Sequence, residues 1–163
     1  MAKLLGIAFV LLVTLNTCKV KTNSVDYIKL EINQSRRFIN HKVSIEITKE
    51  EKNNYLLHVK SLPMFRKQEW EKTIIDKFFV IEYRDFKQIS EEVLNLTKCD
   101  FSKSEVVGED GASYSLKFRF QGKEEEYNIW APDYDTEKRG LTDYLDVCKL
   151  IVETAGLKTK EIL

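Results

Sequence analysis

The chain has 163 residues, 43% of them hydrophobic and 32% charged, with 26 Lys and Arg set against 26 Asp and Glu. A chain of this length makes one ordinary domain with a core of its own and needs no metal or disulfide staple. The charge balance, with no basic cluster beyond Arg36-Arg37 and nearby Lys42, excludes the electrostatic footprint of a nucleic-acid binder and gives no general attraction to anionic lipid.

Lys3 is followed by twelve uncharged residues, Leu4 to Leu15, reading LLGIAFVLLVTL. At 1.5 Å per residue a helix of that length reaches about 18 Å, short of a hydrocarbon core of roughly 30 Å, so the segment cannot span a bilayer. It has the layout of an export signal and lacks the polar face of a buried core helix, since only Gly6 and Thr14 interrupt the apolar run. No A-x-A cleavage pattern closes it. The chain reads instead Leu15-Asn16-Thr17-Cys18, which resembles the lipobox of bacterial lipoproteins. It departs from that pattern at Thr17, where Gly or Ala is usual, and at Asn16, where Ala or Ser is commoner. The resemblance implies cleavage before Cys18, a diacylglyceryl group on its sulfur, and stable anchoring by more than one acyl chain. The expected organisation is a signal peptide over 1–17, lipidated Cys18 with a short tether to residue 24, and a single domain over 25–163. Losing residues 1–17 removes only Lys3 among the charged residues, leaving 25 basic against 26 acidic. With Cys18 assigned to lipid, Cys99 and Cys148 remain. They are either two small buried thiols or a disulfide closing a loop of about fifty residues, worth about 4 kcal/mol in chain-entropy terms.

From Tyr27 the chain alternates with period two: Ile28, Leu30 and Ile32, then Val43, Ile45 and Ile47, then Leu57 and Val59 after a turn at EEKNN. These are three strands, the second and third forming a hairpin over 42–48 and 55–61. Pro63 ends the third, and PMFRKQEWEKTIID follows, mixing Met64, Phe65, Trp70, Ile74 and Ile75 with charges. It is expected to form a loop or short helix whose apolar residues cap the core; its aromatics interleaved with basic residues also fit a partner-binding or membrane-surface segment. KFFVIEY reads as a fourth strand with Phe79, Ile81 and Tyr83 on one face. RDFKQISEEVLNL then places Phe86, Ile89, Val93 and Leu96 at helical spacing, with Asp85 available as a cap. A second hairpin runs from Tyr114 to Phe120, turns at QGK and returns through EEEYNIW to Trp130. After the loop APDYDTEKRG, residues Leu141, Tyr144, Leu145, Cys148, Ile151, Val152 and Ala155 trace one helical stripe, closed by Gly156 as a left-handed cap. The order βββ(β)αββα, joined by hairpins, predicts a two-layer α+β domain: an antiparallel sheet of five to six strands with two helices packed on one face.

Chemical motifs are sparse. There is no G-x-S-x-G nucleophile wrapper, no P-loop, and no HExxH or CxxC, and His41 and His58 read as ordinary strand residues. Asp133, Asp135 and Glu137 invite comparison with a calcium loop. Lys138 and Tyr144 stand where such a loop needs Gly and Glu, so no metal and no cofactor are expected. The stretch WAPDYDTEKRG nevertheless joins a strand to a helix and gathers Trp130, Asp133, Tyr134, Asp135 and Glu137, side chains that supply contact area and could select a cationic partner or hydrogen-bond a sugar. Its structural alternative has Trp130 ending a strand in the core, Pro132 setting a turn, and Asp133 or Asp135 starting the helix.

The sequence LNTC, the compact α+β domain and the NIWAPDYD passage before the last helix together resemble the small Lys-, Asn- and Glu-rich lipoproteins of Bacteroidota-type bacteria. That resemblance implies a lipid-anchored protein of the cell envelope. Lys19, Val20 and Lys21 stand after the cysteine, where surface-exported members carry acids, so a periplasm-facing domain is expected. The expected function is a membrane-tethered protein-binding module of the immunity, inhibitor or envelope-accessory kind. The alternatives are a glycan hydrolase using Asp133 and Asp135, and a secreted domain with a purely structural role.

Overall fold

The computed structural model describes residues 24–50, 54–65, 71–106, 108 and 110–163. Residues 1–23, with the expected signal segment and Cys18, lie outside the described residues, as does Trp70. The elements in order are β1 (Val25–Gln34), β2 (Lys42–Lys49), β3 (Tyr55–Leu62), a 3₁₀ turn (Glu71–Thr73), β4 (Ile75–Ile81), α1 (Tyr83–Leu96), β5 (Ala112–Phe120), β6 (Lys123–Trp130), α2 (Thr142–Thr154) and the one-turn α3 (Thr159–Ile162). The strands form one open sheet in the order β4-β3-β2-β1-β5-β6, antiparallel throughout. This is the expected α+β architecture with all six strands present.

The period-two alternation fixes the register. Leu30 lies opposite Ile45 on one side and Leu116 on the other, and Ile45 in turn faces Val59. All four are buried, so one apolar row crosses the central strands, and a one-residue slip would turn it out to solvent. Ile28 with Ile47 and Phe118, and Ile32 with Val43 and Tyr114, make parallel rows. The alternation breaks once. Val25 and Ile28 are both buried, and the β1–β5 register shifts between Val25 and Tyr27, which makes Asp26 the extra residue of a bulge. Its carboxylate accepts from Arg119 Nε at 2.7 Å, and the same guanidinium lies 5.5 Å above the Tyr27 ring. Β1 therefore starts two residues earlier than alternation alone indicates.

Both long helices cover the same face of the sheet. Α1 turns Phe86, Ile89, Val93 and Leu96 inward, beginning where Phe86 stacks on Tyr55 at 3.9 Å. It is followed by Cys99 beside Asp143 and by Phe101, which packs edge-on against Tyr127 and Tyr144. The expected cap at Asp85 is not used: Glu82 occupies the N-cap in extended conformation without a side-chain cap bond, and Asp85 lies in the first turn, accepting from Arg84 Nε at 3.2 Å. Tyr83, expected on the fourth strand, opens this helix instead and is exposed, because the chain has already turned at Glu82. Α2 buries Tyr144, Val147, Cys148, Ile151 and Val152, and the Tyr144 hydroxyl reaches the Tyr114 and Tyr127 carbonyl oxygens at 3.1 and 3.3 Å, tying helix to sheet. The helix ends as expected at Gly156, with φ +69°. Leu157 N donates to Val152 O and Gly156 N to Glu153 O, the paired bonds of a Schellman cap.

The register also gives the sheet two distinct ends. Val25, Lys49, Tyr55, Ile81 and Phe120 share the near end, where the chain enters; Gln34, Lys42, Leu62, Ile75, Ala112 and Trp130 share the far end. The ten residues of β1 run from one end to the other, about 30 Å at the usual strand rise.

Candidate functional site

The connection from Trp130 to α2 lies at the far end and is organised by a residue that spacing does not single out. Arg139 is only 5% exposed. Its Nη1 donates to Ala131 O at 2.6 Å and Tyr134 O at 3.0 Å, and its Nη2 to Trp130 O at 2.8 Å and Ser104 O at 2.7 Å. A connection without ladder bonds must still satisfy its carbonyls, and a planar guanidinium with five donors can serve several at once. Burial lowers the Arg139 pKa from its usual value, while Asp135, Asp133 and Tyr134 pull the other way. Within the loop, Ala131, Asp135 and Gly140 all take positive φ, and Thr136 Oγ1 donates to Pro132 O at 2.8 Å. Neither Asp133 nor Asp135 starts the helix, in contrast to the structural expectation: Leu141 holds the N-cap, too far along the chain for either carboxylate to cap it.

Trp130 does not end its strand in the core. It alternates with buried Ile129 and so faces away from the helices, half-buried, with its ring lying over Gly108 and Gly111. A Cβ at those glycines would come within 2.2 and 2.8 Å of the ring, so the close approach demands glycine at both. Between this loop and the β1–β2 turn lies a cleft of about 470 Å³. One wall carries Trp130, Asp133 and Tyr134, the other Arg36 and Arg37, with Asp110 also lining it. Asp133 makes no hydrogen bond or ion pair among the described residues, whereas Arg36 and Asp110 approach to 4.0 Å at the exposed rim. Asp135 and Glu137 do not line the cleft; both are exposed, and Asp135 pairs with Lys138 at 3.4 Å. Of the five sequence-predicted loop residues, Trp130, Asp133 and Tyr134 thus line one cleft, and Asp135 and Glu137 lie outside it. Arg37, part of the basic cluster noted in the sequence, holds the C-terminal turn: its guanidinium donates to Lys160 O at 3.2 Å and Leu163 O at 2.7 Å, and Gln34 Nε2 donates to Ile162 O.

The largest departure from expectation adjoins this cleft. Met64, Phe65 and Ile74, expected to cap the core, are exposed, and so are Phe38 and Ile39 of the β1–β2 turn. The two segments are fastened together by Met64 N donating to Phe38 O at 2.7 Å, and the Phe38 and Phe65 rings lie 6.4 Å apart. Asn40, at φ +55°, braces the turn by accepting from Ser61 Oγ at 2.7 Å. Phe38, Ile39, Met64 and Phe65 are thereby held together at the far end, and Ile74 adjoins them across a hollow that it lines with Met64. Arg37 lines both the cleft and the shallow groove beside Phe38 and Ile39, so the two surfaces are continuous.

Other candidates disperse. Cys99 and Cys148 are free thiols. Cys99 lies 3.7 Å from Asp143 Oδ2, and Cys148 is fully buried; desolvation is the leading cause that pushes both thiols up, reinforced at Cys99 by the Asp143 carboxylate. His58 stacks on Phe78 at 3.9 Å on the helix-free face, and its Nε2 lies 2.8 Å from Asp76 Oδ1, a bond that lowers the Asp76 carboxyl from its usual range. A hollow of about 570 Å³ at the near end, floored by Tyr55 and Phe86, contains none of the expected site residues. Among the described residues no three His, Cys, Asp or Glu are grouped to hold a metal, and no helix is long and apolar enough to cross a membrane. Compared with known proteins, the chain matches no family model and no curated protein.

Proposed function

We propose that this protein is a lipid-anchored module of the bacterial envelope, tethered at Cys18 and facing the periplasm, that works by binding a partner protein through the far end of its sheet. The observation carrying this reading is the exposure of Phe38, Ile39, Met64, Phe65 and Ile74 at the far end of the sheet. Contiguous apolar surface of this kind is uncommon on a solitary domain and marks interaction sites. Its neighbours add the aromatic and Arg chemistry of binding hot spots, with Trp130, Tyr134 and Arg36 lining the adjoining cleft. The geometry suits a tether. A chain held at Cys18 enters at Val25, and the strand length of about 30 Å carries the apolar surface away from the membrane. Occupation of a partner, as in immunity, inhibitor or assembly-accessory proteins, needs such a presented surface and no catalytic group.

The test is site-specific photo-crosslinking in intact envelopes, with a benzophenone side chain at position 38, 65 or 83. The expected result is one protein, the same for positions 38 and 65 and absent at position 83 of the near end. Equal crosslinking at all three positions, or only lipid adducts at 38 and 65, would refute the reading.

A further inference from the structure

The two edges of the sheet differ in a way that the far-end surface does not explain. The strand order leaves β4 and β6 with one unpaired side each among the described residues. An open edge is a template for another strand, and charge is one of the devices that blunt it. Β6 carries Glu124, Glu125 and Glu126 in succession, all exposed. Β4, reading IDKFFVI, instead exposes Phe78 at 62% and Val80 at 66%, the two most exposed large apolar side chains described. Both lie on the helix-free face, with Leu56 of β3 opposite Val80. The patch is held in place, since the Phe78 ring is parallel to that of His58 within 9° and His58 is in turn bonded to Asp76. A surface ordered in advance loses little freedom on association.

We propose that the β4 edge is a self-association seam, at which two copies of this chain pair antiparallel about a twofold axis through Phe78. The sequence of the strand selects that axis. With Phe78 opposite its own counterpart, Asp76 meets Val80, Lys77 meets Phe79 and Ile75 meets Ile81 of the second copy, and no charge faces its own sign. Centring on Asp76 or Lys77 sets like charge directly against like charge, and centring on Phe79 sets Asp76 against Glu82; such juxtapositions are destabilising across strands. The chosen register also places the Lys77 ammonium by the Phe79 ring of the second copy, a cation–π arrangement that uses the lysine rather than leaving it as a barrier. Pairing of this kind is isologous and closed, so it ends at the dimer. It joins both six-stranded sheets into one, with both helical layers on the same side. The contact is one strand wide, which makes it a small interface with affinity in the micromolar range rather than tighter.

The test uses the purified full-length protein in mild detergent with micelles in excess, followed by sedimentation velocity across a range of concentration and by oxidative trapping. The expected wild-type result is a reversible monomer–dimer equilibrium. Phe78→Lys places lysine against lysine and should raise the dissociation constant at least tenfold, whereas Val80→Lys, which faces Asp76 of the second copy, should leave it unchanged or lower it. Phe78→Cys should give a disulfide dimer on oxidation, and Glu125→Cys on β6 should not. The Cys variant guards against a Lys variant that fails to fold. A protein that stays monomeric into the hundreds of micromolar, a dimer insensitive to Phe78→Lys, or trapping at position 125 in place of 78 would overturn the proposal.

Discussion

Replacing Arg139 with Met removes every donor of the guanidinium while keeping an unbranched side chain in its place. Four carbonyl oxygens lose a donor, those of Ser104, Trp130, Ala131 and Tyr134, and Ala131 O alone keeps a second one, Tyr134 N at 3.0 Å. A hydrogen bond to a charged group is worth about 1.5–3 kcal/mol net, and the four share one cation and are not additive. Water reaching the partly buried carbonyls recovers part of the loss, and the variant no longer desolvates a charge. A net destabilisation of about 3 kcal/mol follows. At roughly 4 °C per kcal/mol for a domain of this size, the melting temperature should fall by about 12 °C. Arg139→Lys keeps the charge but not the planar fork, so its loss should lie between wild type and Met. Urea unfolding followed by circular dichroism measures the free energy, and hydrogen exchange at the Arg139 and Leu141 amides reports the loop. A loss below about 1 kcal/mol for Arg139→Met, with unchanged exchange at those amides, would refute the clamp.

Gly156→Ala should destabilise by about 1 kcal/mol in the same urea assay: nothing lies within 4 Å of the new methyl, so the cost is that of the left-handed backbone alone. The Asp76 carboxyl is held low chiefly by His58, so its stabilising contribution is complete above its unfolded pKa and is lost as pH falls through the lower folded value, below about pH 4. His58→Ala should raise the Asp76 midpoint in a carboxyl carbon-13 titration, and an unmoved midpoint would contradict the assignment. Cys148 should resist a thiol reagent in the native protein and react on unfolding, with Cys99 reacting first. Equal native rates at the two would show that the helix layer opens far more readily than its burial implies.

Strand alternation, the helical stripe around Ile89 and the Gly156 cap were legible because each is a local pattern imposed by packing against a single face. Sheet order was not, since hairpins specify neighbours but not which outer strand begins or ends the sheet. Tyr83 shows a related limit: its period matches the strand before it, and only the turn at Glu82 assigns it to α1. At the far end, Trp130, Asp133 and Tyr134 were legible as a loop with aromatic and acidic content. Arg139 was hidden because an arginine flanked by Lys138 and Gly140 reads as solvated; counting the carbonyls that a loop of this length must satisfy is the signal that could have found it. Phe65 pointed first to a core cap, with a partner-binding segment as the alternative, and nothing in the sequence distinguished Phe38. An apolar residue in a loop reads as a core cap, and whether the core is already full depends on contacts far apart in sequence.

The most direct test of partner binding is calorimetric titration of the crosslinked partner, once purified, into wild-type protein and into the Phe38→Asp/Phe65→Asp double variant. Both side chains are about half exposed, so the fold should lose little stability, and thermal unfolding checks this. The account predicts at least a hundredfold weaker binding by the double variant and unchanged binding by Tyr83→Asp at the near end. Equal affinity of wild type and double variant would contradict it.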